Sequence, residues 1–299
     1  MTKKRCKVLV CCHKKDVMAT QEPYMPIHVG KALHPDVDLG IQGDDTGDNI
    51  SLKNGSYCEL TGMYWAWKNL KDVDVIGLCH YRRYFDFHGQ CRRFRPVDIF
   101  PSDKFDKTNI TIPDRFLDRL KDGEAVVASP HHYMNNIYFD YCCCHYSDDF
   151  RVMQKIVVNT QPKEMQDAFY KIMYMNNLLS PTNMFIMTWK DFDEYCTFMF
   201  GILEEVEKYT DVSHYSPYQS RLYGFLSERL FNVWLYGKRM KLFKRPIIWF
   251  FDEPQMKDLS TFTILQRNFR GWLNVRLSNM KMQELSEFSR KFELVEKKK

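Results

Sequence analysis

The 299-residue sequence lacks the short signatures of several common protein classes. It has no G-x-G-x-x-G and no G-x-x-x-x-G-K-[ST] segment, so the usual dinucleotide-binding and P-loop patterns are absent. None of its 10 cysteines forms a C-x-x-C pair, which removes the standard zinc and redox spacings. No stretch approaches the roughly 18 apolar residues of a membrane-spanning helix. These absences point away from the commonest cofactor sites.

A concentrated excess of one charge is missing as well. The 43 basic and 38 acidic residues are well mixed and give a formal net charge of +5. Nucleic-acid binders usually present a concentrated basic face, so we expect no nucleic-acid partner. An anionic small molecule or an anionic lipid surface is compatible with this balance. The apolar run of five after the basic start is too short for a signal peptide, and cysteines within apolar runs favour a reducing cytoplasm.

Short apolar runs alternate with helix-like segments along the chain. Runs typical of buried strands occur at residues 8–12, 75–79, 124–130, 181–189 and 245–251. Apolar residues recur at helical spacing after residues 59 and 191 and within 224–238. Ser56 and Glu59 have the S-x-x-E spacing of a capping box, and Asp191 and Glu194 have a variant of it. The alternation predicts an α/β fold with a mostly parallel central sheet flanked by helices.

The residues that follow two predicted strands carry positive charge. His13 and Lys14 follow the first strand, and "HYRRYF" follows the strand at 75–79. Ligands of open α/β sheets lie at the carboxyl ends of the strands, so these side chains are placed to meet an anion. Two adjacent arginines need an anionic partner or solvent, and either a ligand or a structural salt bridge satisfies them.

Five segments of the chain resemble a known family. "GDDTGDNIS", "YCELTGMYWAWKNL", "IGLCHYRRYF", "NMFIM" and "GFLSERLF" resemble the bacterial capsular-polysaccharide and O-antigen glycosyltransferases that contain domain of unknown function 4422. The resemblance spans residues 6–250. It implies a variant of the GT-A nucleotide-sugar fold and transfer of galactofuranose from UDP-galactofuranose to a membrane-linked glycan. It also implies a GT-A-like domain at residues 1–251, followed by a C-terminal helical extension at 252–299.

The D-x-D pair that holds a divalent cation in most GT-A enzymes has no counterpart in the expected place. The three matches to the pattern begin at Asp36, Asp72 and Asp191, and none follows a central strand. His80, Arg82 and Arg83 stand there instead, and fixed cations can stabilise a departing diphosphate as a metal does. We therefore expect no metal cofactor. Mg²⁺ or Mn²⁺ held by the acidic loop is the alternative.

The candidate donor-binding residues come from three segments. They are His13, Lys14, Asp44, Asp45, Asp48, His80, Arg82 and Arg83. Alternation along a strand places Arg82 and Arg83 on opposite faces, so we expect one to meet the diphosphate and the other to pair with a structural carboxylate. The aspartates are predicted to bind sugar hydroxyls or the nucleoside. Asx turns in a polar loop are the alternative explanation for all three.

Candidate catalytic and acceptor-site residues follow from the resemblance and from acid–base chemistry. An inverting transfer needs a carboxylate that takes the acceptor proton, and Glu228, predicted near a helix start, is the first candidate, with Asp149 in reserve. A first-turn acid favoured by the helix dipole is the alternative role of Glu228. The resemblance also implies donor or acceptor contacts for His145, Asp148 and Asn183. The histidines at 131, 132 and 145 match no standard zinc spacing.

Residues 262–277 have the pattern of a basic amphipathic helix. Aromatic and aliphatic residues recur at helical spacing among three arginines. The pattern favours packing on the protein's own body, and contact with the inner face of a bacterial plasma membrane is the alternative. Two other functions also fit the sequence: a non-catalytic nucleotide- or glycan-binding protein with a degenerate transferase site, and a metal-dependent hydrolase that uses the histidines.

Overall fold

The computed structural model describes residues 3–252 and 260–289. The strands are β1 (Cys6–Cys12), β2 (Tyr24–His28), β3 (Gln42–Gly43), β4 (Val75–His80), β5 (Arg83–Phe85), β6 (Val97–Phe100), β7 (Glu124–Ala128), β8 (His131–His132), β9 (Leu178–Leu179), β10 (Phe185–Thr188), β11 (Lys241–Arg245) and β12 (Ile247–Phe250). The α-helices are α1 (Asn54–Tyr57), α2 (Leu60–Asn69), α3 (Asp114–Arg119), α4 (Ile137–Cys144), α5 (Ser147–Thr160), α6 (Lys163–Tyr174), α7 (Trp189–Glu207), α8 (Leu222–Gly237) and α9 (Thr261–Ser289). Short 3₁₀ helices span Lys31–Leu33, Ser51–Lys53, Ser102–Lys107 and Gln219–Arg221.

The described residues form two compact units. Unit 1 contains residues 3–129, 181–194 and 241–252, and unit 2 contains residues 130–180, 195–240 and 260–289. Unit 1 carries the large sheet, and unit 2 is mainly helical. The division between residues 251 and 252 that the sequence suggested stays a prediction.

The sheet of unit 1 is mostly parallel around its centre. The strands lie in the order β11–β7–β10–β4–β1–β2–β3. β1 pairs in parallel with β2 and β4, and β10 is the antiparallel strand between β4 and β7. Val8–Cys12 is an unbroken buried run because both faces of this central strand are covered. The predicted α/β class with a mostly parallel sheet is confirmed.

A second group of strands extends the sheet beyond β4. The chain reverses after His80 through Tyr81 and Arg82, and β5 pairs antiparallel with β4 and with β12. β12 also pairs in parallel with β6, which lies in a segment without clean periodicity. The single strand predicted at 245–251 is therefore two strands, β11 and β12, that pair with different neighbours.

Both predicted capping boxes are wrong. Ser56 lies within α1, and α2 begins only at Leu60, after Glu59. No side chain caps α2, and the Glu59 carboxylate instead accepts a hydrogen bond from Asn183. α7 begins at Trp189, so Asp191 is a first-turn residue whose carboxylate accepts from the Gly123 amide.

Unit 2 packs its helices around a buried aromatic and aliphatic core. α6 and α8 bury residues such as Phe169, Leu230 and Trp234, and α7 contributes Met199 and Leu203 to the interior. Its small β8–β9 ribbon is antiparallel. Among the helices of the described residues, none is both long and apolar enough to cross a membrane.

Candidate functional site

Four parallel strands of unit 1 end at one edge of the sheet. β1, β2, β3 and β4 end at Cys12, His28, Gly43 and His80, and the strand pairings put Cys12 beside His28 and Cys11 beside His80. From β1 the chain continues to β2 and β3 on one side of the sheet, whereas β4 lies on the other side of β1. The β1–β4 pair is therefore a topological switch point. Ligands of open α/β sheets bind at such points, beyond the carboxyl ends of the strands.

His13 and Lys14 leave this edge as exposed side chains. The His13 ring contacts the Tyr81 ring edge to face, with the centroids 5.5 Å apart. The Cys12 thiol donates to the Lys14 carbonyl and so fixes the path of the chain after β1. The structure therefore brings His13 and Lys14 to the edge that also carries His80, as the sequence predicted from the strand ends.

The two predicted arginines have different partners. Arg82 forms an ion pair with Asp16, with Nη2 and Oδ2 2.6 Å apart, and this contact is the main cause of the raised pKa of Arg82. Arg83 lies over the Trp249 ring, 4.6 Å from its centroid. One arginine was expected to pair with a structural carboxylate; that arginine is Arg82, and the carboxylate is Asp16. Arg83 is the first residue of β5 and is half-buried.

Asp44 is completely buried, and its carboxylate is enclosed by donors. Oδ2 accepts from the Gly30 amide at 2.8 Å and from Thr61 Oγ1 at 2.5 Å. Oδ1 accepts from the Lys31 amide and from Ser51 Oγ. With both oxygens engaged and no exposed surface, Asp44 shapes the edge rather than offering a carboxylate to a ligand.

The other two aspartates of the loop are exposed and have different neighbours. The Asp45 carboxylate folds back over Gly43, at the end of β3. Asp48 accepts from the Tyr64 hydroxyl, and its backbone pairs with Asn69 in the last turn of α2. Thr61, which donates to Asp44 at the strand edge, lies roughly 12 Å from Asn69 along the axis of α2, at 1.5 Å per residue. Asp45 therefore stays at the strand edge, and Asp48 does not.

The turn before β10 contacts both His80 and Glu59. Asn183 is buried and donates from Nδ2 to Glu59 Oε1 at 2.8 Å. His80 Nε2 lies 2.9 Å from the Thr182 carbonyl oxygen. Thr182 and Asn183 both have positive φ, at 69° and 51°, a left-handed conformation that non-glycine residues rarely adopt. Such strained turns concentrate at ligand sites.

Sequence patterns missed several polar residues of this edge. His28 lies at the end of β2 and is buried, and burial is the main cause of its lowered pKa. Asn54 donates to the Cys58 carbonyl and to Thr61, and Thr61 in turn donates to Asp44. The capping-box spacing predicted a helix cap at Glu59, whereas its carboxylate pairs with Asn183, which is far away in the sequence.

Asp149 lies in the first turn of α5 in unit 2 and is buried. Both of its carboxylate oxygens lie within hydrogen-bond distance of the Tyr215 hydroxyl, at 2.8 and 3.1 Å. The Tyr215 ring packs against the exposed Tyr146 ring, with the centroids 4.6 Å apart. Burial, followed by the bond to Asp149, raises the pKa of Tyr215.

Glu228 lies in the second turn of α8, one turn further along than the helix start at which it was predicted. Its Oε2 is 3.3 Å from Arg229 Nη1, and its side chain keeps 23% of its surface exposed, whereas Asp149 keeps almost none. Arg229 is itself buried beside the Tyr141 ring. Of the two carboxylates, Glu228 is the one that a substrate hydroxyl can reach from solvent.

His145 is held among aromatic rings at the end of α4. It stacks on Phe225 with the centroids 4.0 Å apart, and its Nδ1 lies 3.1 Å from Gln219 Oε1. Burial lowers the pKa of His145 despite the opposing effect of the Gln219 bond. Asp148, by contrast, is exposed and pairs loosely with Arg151.

The histidine cluster does not assemble as a metal centre. His131 and His132 lie on β8, and among the described residues no group of three or more His, Cys, Asp or Glu could hold a metal ion. Metal independence of the reaction stays a prediction.

The comparisons with known proteins identify the family of the chain. Residues 7–239 match the family described as Domain of unknown function (DUF4422), and the chain belongs to that family. A solved structure titled as the apo form of the WbbM bifunctional glycosyltransferase is similar, with a TM-score of 0.74 and 28% sequence identity. The similarity covers 85% of this chain and 47% of the other, so this chain spans about half its length. The predicted GT-A-like fold is confirmed. A search among curated proteins gave no match.

The half-buried His131 makes stability depend on pH. Burial lowers the pKa of His131 to about 4 from its ordinary 6.5, so between these values the unfolded chain binds a proton that the folded chain does not. This contribution to stability is complete above pH 6.5 and is lost as the pH falls towards 4. We expect the free energy of unfolding, measured with urea, to drop by up to about 3 kcal/mol from this group.

His131→Asn should flatten that part of the pH profile, whereas His214→Asn, which changes an exposed histidine, should leave it as it is. Equal pH profiles for His131→Asn and the unchanged protein would assign the loss of stability to other groups.

Proposed function

We propose that the chain is an inverting glycosyltransferase that moves galactofuranose from UDP-galactofuranose onto a lipid-linked glycan in surface-polysaccharide biosynthesis. The similarity to WbbM, a bifunctional glycosyltransferase, over 85% of this chain is the observation that carries the proposal. The carboxyl edge of unit 1 supports it, because cationic side chains and a strained turn lie where a nucleotide-sugar binds in sheets of this kind.

The donor diphosphate is proposed to lie at the β1–β4 switch point, beside His13, Lys14 and His80. Arg82 adds a guanidinium that Asp16 holds in place and partly neutralises, and Arg83 adds a second at the start of β5. Positive charge fixed in advance stabilises the leaving diphosphate in the way that a bound cation does elsewhere. The transfer is therefore proposed to need no divalent metal ion.

Glu228 is proposed as the base that takes the proton of the attacking acceptor hydroxyl. Its carboxylate is partly exposed, and Arg229 orients it. Asp149 is the weaker candidate because it is buried and occupied by Tyr215. Asp149 instead fixes Tyr215 and, through it, the exposed Tyr146 ring, next to the segment that carries His145 and Asp148. These residues of unit 2 are proposed to contact the acceptor.

Glu228→Gln should keep the shape of the side chain while removing the base. We expect the transfer rate to fall by about 10²–10⁴, with the affinity for UDP-galactofuranose unchanged. The rate is measured as UDP release in the presence of acceptor glycan, and the affinity by calorimetry. Glu204→Gln changes an exposed carboxylate on α7 and serves as the matched control. Near-normal transfer by Glu228→Gln would remove Glu228 from the mechanism.

α9 supports a membrane contact because it exposes an apolar face. One side of the helix is seated on unit 2: Gly271 is buried so close to the Tyr133 carbonyl that a Cβ there would lie 2.3 Å from it, and Val275 is buried beside it. The exposed large apolar residues lie on the other side: Phe262, Leu265, Phe269, Trp272, Leu273 and Leu277. Self-packing thus accounts for only one side of this helix.

The arginines of α9 complete the pattern of an interfacial helix. Arg267, Arg270 and Arg276 are exposed, and Arg276 lies over the Trp272 ring at 5.2 Å. Exposed rings bordered by arginines fit a bilayer whose headgroups are anionic. A surface of this kind would bring the enzyme to a lipid-linked acceptor.

Vesicle binding tests this contact. The protein should co-sediment with phosphatidylglycerol vesicles, less so in high salt, and only weakly with phosphatidylcholine vesicles. Replacing Arg267 and Arg270 by Glu should weaken binding at least about 30-fold, at about 1 kcal/mol per basic residue near the surface. Arg119→Glu with Lys121→Glu makes the same change in net charge in unit 1 and should bind normally. Failure of the unchanged protein to bind at low salt would refute the contact.

A further inference from the structure

Three strained residues of unit 1 flank one carboxylate. Cys58, Thr182 and Asn183 are non-glycine residues with φ of 53°, 69° and 51°. Cys58 immediately precedes Glu59 in the chain, and Asn183 donates to the Glu59 carboxylate across 124 positions of sequence. A left-handed conformation is unfavourable for a non-glycine residue and persists only where its surroundings impose it. Cys58 and Asn183 both adjoin Glu59, and Thr182 is the chain neighbour of Asn183.

Hydrogen bonds hold the strained residues on both sides. Asn54 Nδ2 donates to the Cys58 carbonyl at 2.7 Å and to Thr61 Oγ1 at 3.0 Å, and Thr61 donates to the buried Asp44. On the other side, the Thr182 carbonyl lies against His80 at the end of β4. The chain on either side of the Glu59–Asn183 contact is therefore held at the ligand edge.

Helix capping does not account for this arrangement. Glu59 stands at the N-cap position of α2, yet no side chain caps the helix there. Its carboxylate instead meets an amide that is almost fully buried and that belongs to the turn before β10. Glu59 is half-buried at the ligand edge, and its carboxylate is positioned by Asn183 rather than by its own helix.

Charge selects which part of a nucleotide-sugar can face Glu59. A carboxylate accepts about four hydrogen bonds and donates none when ionised, so it binds hydroxyl groups and is repelled by phosphate. Its neighbour His80 is a proposed diphosphate contact, and the transferred sugar is the polyhydroxyl group attached directly to that diphosphate. We propose that Glu59 recognises hydroxyl groups of the transferred sugar and that Asn183 positions it. The inference rests on the proposed donor-binding function.

Comparison of two ligands isolates the sugar contribution. UDP and UDP-galactofuranose are titrated into the full chain and into Glu59→Gln, which keeps the shape and removes the charge. We expect Glu59→Gln to bind UDP as the unchanged protein does and to bind UDP-galactofuranose about 10- to 100-fold more weakly. Glu22→Gln, which alters an exposed carboxylate in a surface pair with Lys7, is the matched control.

A second variant separates positioning from folding. Asn183→Gly removes the amide donor at a residue whose φ of 51° suits glycine, and its melting temperature shows whether the fold survives the loss of this buried side chain. We expect it to lose a smaller part of the sugar-dependent affinity, about 3- to 10-fold, with UDP binding retained.

The outcomes separate this inference from the function on which it rests. If Glu59→Gln binds both ligands normally, or loses affinity for both equally, the sugar contact is refuted while the donor site stands. If the unchanged protein binds neither UDP nor UDP-galactofuranose, the proposed function itself is refuted, and this inference falls with it.

Discussion

The buried carboxylate of Asp44 is the interaction on which the ligand edge of unit 1 depends. It accepts hydrogen bonds from the chain after β2, from the 3₁₀ helix at Ser51–Lys53 and, through Thr61, from α2. A buried charge is tolerated only when donors surround it, and here donors from three segments do so. Gly30 fits this arrangement because its φ of 72° and its contact with Asn54 leave no room for a side chain. Loops that connect different strands are thereby held in one geometry.

Sequence patterns revealed the parts of the fold that follow from local periodicity. Val8–Cys12 and Val75–His80 are continuous apolar runs because both faces of these central strands are buried, and such runs can be recognised in isolation. β2 was not predicted, since Pro26 lies within it and disfavours a strand assignment. β6 was also missed, because its burial depends on β12 and cannot be seen in its own residues.

The candidate site was predictable only where a residue's role follows from a strand end. His13, Lys14 and His80 were placed correctly because the carboxyl ends of parallel strands share an edge. The burial of Asp44 and the pairing of Arg82 with Asp16 depend on residues distant in sequence, which no local spacing encodes. The pairing of Glu59 with Asn183 is likewise invisible to local spacing, since the spacing of Ser56 and Glu59 imitates a cap.

We propose that fixed cations at the β1–β4 edge, rather than a divalent metal ion, stabilise the diphosphate that leaves during sugar transfer. The direct measurement is UDP release from UDP-galactofuranose in the presence of acceptor glycan, made with excess EDTA and again after addition of Mn²⁺. Turnover that persists in EDTA at an undiminished rate is the predicted result. Loss of turnover in EDTA with recovery in Mn²⁺ would contradict the claim and would assign the stabilisation of the diphosphate to a bound metal ion.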